Sequence, residues 1–219
     1  LGTAAGDDNL TFTGGITAIA QAGAGGADAD AIIIGGDIAT TNALVRLGSS
    51  TAGITLVSDS TINTNTGIGA IDLDGAIVGA GKDLTLTAGT GAITSALAIS
   101  GIDELIVASS SSTIFTGSVS ATTVTLTDTT DAGNIEFDGN LTATTLSVAA
   151  QAFDVEINED ANITNAVTFS NTGLLVLGTS VGDDNLTFTG GITAITQADA
   201  GTDADAIIIG GDIATTNAL

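Results

Sequence analysis

A chain of 219 residues with two basic residues, 25 acidic residues and no His carries a formal net charge of −23. It cannot neutralise a phosphate track, so the charge sign excludes nucleic acid as a partner and favours cations. It contains no Cys, Met, Trp, Tyr or Pro, which removes disulfide frameworks, thiol and imidazole catalysis, and the aromatic girdles of a membrane β-barrel.

At 43% hydrophobic residues, with Ile, Leu and Val alternating with Thr, the chain is too apolar to remain disordered. No apolar run approaches the ~20 residues of a membrane helix, so membrane insertion is not expected. The predicted strands, in chain order, are LTFT at Leu10, AIII at Ala31, GITLV at Gly53, DLTLT at Asp83, DELIV at Asp103, TVTLT at Thr123, TTLSV at Thr144, AVTFS at Ala166 and NLTFT at Asn185. Over most of the chain their first core residues lie 19 to 22 apart, the spacing of one solenoid turn per repeat. The stretch from Ile54 to Leu84 departs from this rhythm. It holds an additional run, AIDLDGAIV from Ala70 to Val78, whose register the sequence leaves open.

Within each run the apolar residues share one face. Leu10 with Phe12, Leu84 with Leu86, Val124 with Leu126, and Val167 with Phe169 point one way, and the intervening Thr and Ser residues point the other. Gly, Asn and Asp clusters between the runs suit tight turns. Helical periodicity is absent. The predicted fold is all-β, a parallel β-solenoid with coils of about 19 to 22 residues. A string of immunoglobulin-like sandwiches is the competing fold, disfavoured by the scarcity of core aromatics and the lack of Pro turns.

A longer repeat overlies the coils. GDDNLTFTGGITAI, Gly6 to Ile19, returns at Gly182 to Ile195, and DADAIIIGGDIATTNAL, Asp28 to Leu44, returns at Asp203 to Leu219. Leu1-Gly2-Thr3 matches Leu177-Gly178-Thr179, giving a period of about 176 residues. Residues 1–176 are therefore read as one super-repeat and 177–219 as the start of the next, within one continuous solenoid that is a window on a longer array. A residue lost between the copies near Gly25-Gly26 marks a turn.

KDLTLTAGTGAIT, Lys82 to Thr94, resembles the repeat of the filamentous haemagglutinin family of large secreted bacterial proteins. NLTFTGGITAI and TTLSVAA resemble it more loosely. The resemblance implies a right-handed parallel β-helix, export to the cell exterior and service as an adhesin or surface fibre. The chain departs from that family in its acidity and its nearly exact super-repeat.

The candidate site residues are acidic. Asp28 and Asp30, their copies Asp203 and Asp205, Asp72 and Asp74 in DLDG, and Asp138 in DGN are candidate calcium ligands, because carboxylates and turn carbonyls are the hard oxygen donors that ion takes. The competing reading is a set of solvated acidic turns. No EF-hand loop is complete, and GAGKDLTL from Gly79 fits an RTX nonapeptide except at Thr85. No catalytic residues are assigned, since Arg46 and Lys82 are the only side-chain cations to serve the carboxylates, and Arg46 is expected in a surface ion pair. No cofactor other than calcium is implied.

Four N-x-T sequons, at Asn9, Asn140, Asn162 and Asn185, are what a chain rich in Asn and Thr carries by chance. Regular Thr arrays resemble ice-binding solenoids, but Val57, Ser147, Asp103 and Glu104 interrupt them. The expectation is a mechanical, non-enzymatic protein of the cell surface or exterior that associates with itself. A ligand-binding adhesin using this segment as a spacer is the alternative.

Overall fold

Inward residues at every second position need a partner layer, and three strands per turn supply it by facing one another around a narrow prism. The computed structural model describes residues 1–2, 8–19, 31–64, 67–130, 133–179, 183–195 and 206–216. Among them there is no helix, and every paired strand runs parallel to its neighbour. The fold is a parallel β-solenoid. Uniformly parallel pairing excludes the sandwich alternative, whose hairpins require antiparallel strands.

The chain visits three ladders in fixed rotation. On face I the inward column runs Ile32, Ile54, Ile77, Ile99, Val119, Leu141, Ala161, Leu186, Ile213. On face II it runs Leu10, Ile38, Ile62, Leu86, Val107, Leu126, Val148, and the neighbouring strand Val167–Phe169 continues that face to Ile192–Ala194. On face III it runs Ile16, Val45, Ile71, Ile93, Thr113, Ile135, Val155, Leu175, Ile207. From Ile71 to Leu175 the partners on face III lie 20 to 22 residues apart, within the predicted coil length. Toward both ends the coils lengthen, with Ile16 paired to Val45 and Leu175 to Ile207.

The open register between Ile54 and Leu84 is resolved by the corners. Ile71–Leu73 lies on face III, and Ile77–Thr87 begins on face I, bends, and finishes on face II. AIDLDGAIV is thus two strands on two faces. The bend uses positive φ at Ala80 (52°) and Gly81 (76°), and Gly101 (64°) serves the equivalent corner of Ile99–Ser109, where the ladder register slips. Such angles are cheap for glycine and costly for alanine.

Stacked apolar columns form the core. Leu84, Leu86, Val124, Leu126, Val167 and Phe169 are all buried, as the alternation predicted. Leu10 and Phe12, in an end coil, are only partly covered. Phe115, Phe137, Phe153, Phe169 and Phe188 are fully buried. Phe115 and Phe137 occupy adjacent rungs of face III and stack with centroids 5.1 Å apart and planes 20° apart. At the corner between faces III and I the chain passes so close to the coil before it that only glycine fits. A Cβ on Gly117 would lie 2.2 Å from the Leu97 carbonyl carbon, and one on Gly139 would lie 2.6 Å from that of Gly117.

Candidate interaction surfaces

Among the described residues the acidic side chains other than the buried Asp184 lie along the outside of the coils, and the strand register decides what each can do. Asp72 is outward on face III, directly over Arg46 of the preceding coil. The Arg46 Nε donates to Asp74 Oδ2 at 2.6 Å, and Thr94 Oγ1 donates to Asp72 Oδ1 at 3.1 Å. Arg46 therefore makes the expected ion pair, with Asp74. Asp138 accepts from Asn158 Nδ2 at 2.9 Å, one coil on. Asp28, Asp30, Asp203 and Asp205 lie outside the described residues. Among the described residues no three acidic side chains converge as a ligand set.

A different role for carboxylates emerges at the corner that opens face II. Asp59 Oδ1 accepts the backbone N–H of Asp83 at 3.1 Å, Asp83 Oδ1 accepts that of Glu104 at 3.0 Å, and Glu104 Oε1 accepts Thr125 Oγ1 at 2.7 Å. Asp37 does the same for Thr61 N–H at 2.8 Å, and on face I Asp160 does so for Asn185 N–H at 2.8 Å. The amides of Thr61, Asp83, Glu104 and Asn185 stand where the chain begins its run along a new face, and a backbone donor left without an acceptor there is costly. Each carboxylate thus ties its coil to the next. The sequence carries the signal, an acidic residue immediately before the first inward residue of a strand (Asp37, Asp59, Asp83, Glu104, Asp160), but a search for clustered metal ligands passes over it.

Asp83→Ala is expected to cost about 1 kcal/mol, the net worth of one partly exposed hydrogen bond. Asp83→Asn, whose amide oxygen still accepts, should restore most of it. Urea unfolding of the two variants against the parent measures the difference.

Glu136 and Glu156 are stacked outward on face III, and the Asn134 amide donates to Glu136 Oε1 and, at 3.4 Å, to Glu156 Oε1. Burial first, then the charges of Glu156 and Asp138, push the Glu136 carboxyl above its ordinary range against the opposing Asn134 hydrogen bond. A carboxyl raised in the folded state holds its proton more tightly there than in the unfolded chain. Its contribution is most favourable below the unfolded pKa and is lost as pH rises through the folded one. Glu136→Gln is therefore expected to raise stability at pH 7 by about 0.5 kcal/mol, the scale of a like-charge cross-strand pair. The gain should shrink as pH falls toward 4, which a melting series across that range records.

All four sequon asparagines are exposed. Asn140, Asn162 and Asn185 line one shallow open depression on face I together with Thr142, Asp160 and Thr187. Its outward column runs Thr142, Asn162, Thr187. On face II the outward column Thr61, Thr85, Ile106, Thr125, Ser147 is broken by an isoleucine, so no continuous Thr plane of the ice-binding kind forms there.

No family model, no curated protein and no solved structure matches this chain.

Proposed function

We propose that the chain is a structural, non-enzymatic segment of an extracellular or cell-surface fibre, sheath or adhesin stalk, whose coils propagate by self-association. The observation that carries this reading is the uniformity of the stack. Ile32 and Ile34 are 9% and 0% exposed beneath the next coil, and inward columns of the same apolar kind continue on all three faces through the described coils. Each coil therefore presents its neighbour with a parallel ladder and an apolar column of one kind, the surface on which a further coil of this sequence stacks. The likeness of KDLTLTAGTGAIT to the filamentous haemagglutinin repeat supports an exterior setting.

Sedimentation velocity of the purified chain over a concentration range, with calcium and with chelator, tests the proposal. Growth to long polymers is expected, and a monomer at all concentrations in both buffers would defeat it. Disassembly by chelator alone would assign calcium to the acidic turns as a structural ion.

A second reading has its own observation. The face I depression presents amide, hydroxyl and carboxylate groups from Asn140, Thr142, Asp160, Asn162, Asn185 and Thr187, the polar set a hydroxyl-rich ligand such as a glycan takes. Glycan-array binding that is abolished by Asn162→Ala would favour an adhesin surface, and a blank array would remove it.

A further inference from the structure

The two copies of the long repeat do not occupy the same faces. Ile32 lies on face I beneath Ile54, but its copy Ile207 lies on face III over Leu175. Leu10 stands on face II against Ile38, but its copy Leu186 stands on face I between Ala161 and Ile213. Ile16 pairs with Val45 on face III, but its copy Ile192 pairs with Val167 on face II.

All three shifts have one sense. The chain visits the faces in the order I, II, III, and each copied strand arrives one face early. The super-repeat is therefore one face short of eight turns. Stacking tolerates this because a ladder needs whole strands, not whole turns. The inward columns of all three faces consist of the same kinds of residue, mainly Ile, Leu and Val, so a strand evolved on one face packs on another.

We infer that tandem copies of this unit are each turned by one face about the rod axis, so that an array shows every surface strip in three directions and returns to its starting face only after three units. At ~4.8 Å per coil the surface period is about 110 Å, or about 23 coils. Outward Ile33, 53% exposed on face I, shows the effect, since its copy Ile208, 48% exposed, is outward on face III. Resting on the self-association reading, the neighbours such a rod fits are further copies of this chain, met on every side.

The chain has no Cys, so paired cysteine variants of all 219 residues can be nitroxide-labelled cleanly. In Glu156→Cys/Ile208→Cys both labels stand in one outward column of face III, two rungs apart. In Asn162→Cys/Ile208→Cys they stand on different faces. Ile33→Cys/Val78→Cys, two rungs apart on face I, is the reference for a correctly folded pair. Strong dipolar coupling at a backbone separation of about 10 Å is expected for the first pair and the reference, with a clearly longer distance for the second. Close coupling in the Asn162 pair and not in the Glu156 pair would put both copies on one face and overturn the inference. A chain that stays monomeric in sedimentation would remove the self-association reading and leave this distance result standing.

Discussion

Phe137→Ala is expected to lower the unfolding free energy by about 3–5 kcal/mol, the cost of truncating a fully buried aromatic side chain. Phe137 is fully buried, stacks on Phe115 at 5.1 Å and lies in register with Ile157 on the next rung. In a globule, neighbours could shift inward to fill part of the space. Here the rungs on either side are held at ladder spacing by backbone hydrogen bonds, so the cavity persists and the cost stays at the upper end. Because each coil touches mainly the coils beside it, the loss also weakens the coupling between the two halves of the rod. Denaturant unfolding should show a lower midpoint with a broadened or split transition. Phe12→Ala, in a partly covered end coil, should cost far less. A loss under about 1 kcal/mol at Phe137 would contradict a filled prism.

The second large effect is expected at Gly117. A Cβ there would meet backbone of the preceding coil, with the Leu97 carbonyl carbon 2.2 Å away and the Ala98 nitrogen 2.5 Å away. Backbone in a ladder cannot rotate aside as a side chain can, so Gly117→Ala must pry two coils apart at that corner. About 3 kcal/mol or more is expected, at or above the top of the range for ordinary overpacking. Gly14→Ala is the matched control, because nothing lies within 4 Å of its added Cβ, and it should fall within about 0.5 kcal/mol of the parent. Thermal melting of the two variants settles the contrast. Equal, small effects would mean that the corner glycines do not stack.

The alternation of Leu84 and Leu86 with Thr85 and Thr87 made the inward and outward faces legible, and the recurrence of such runs gave the coil length. What the sequence concealed was the number of faces. In Ile99–Ser109 the second half, with Leu105 and Val107, serves face II and stands out as DELIV, whereas the first half, with Ile99, serves face I and goes unmarked because the glycine corner leaves it only a short run of its own. Where the two halves are separate strands, as at Gly53–Leu56 and Ser60–Asn63, the rhythm looked irregular although the architecture is the same.

The carboxylates were hidden for a related reason. Asp59, Asp83 and Glu104 are far apart in sequence and alike only in standing one residue before a core position, and their function as acceptors for the following coil appears once the rungs are aligned. Asp72 and Asp74 are two residues apart in sequence and suggested a cation site. The register sets Arg46 beside Asp72, and its guanidinium pairs with Asp74. The turned placement of the second copy was likewise beyond reach of the sequence, since identical strands pack equally well on any face.

The most direct test of the whole account is cryo-electron microscopy of the assembled chain. A continuous three-sided rod is expected, with strands crossing its axis and density recurring every ~4.8 Å along it without interruption between chains. Separate rods of fixed length, or strings of globular beads joined by linkers, would contradict a self-propagating solenoid.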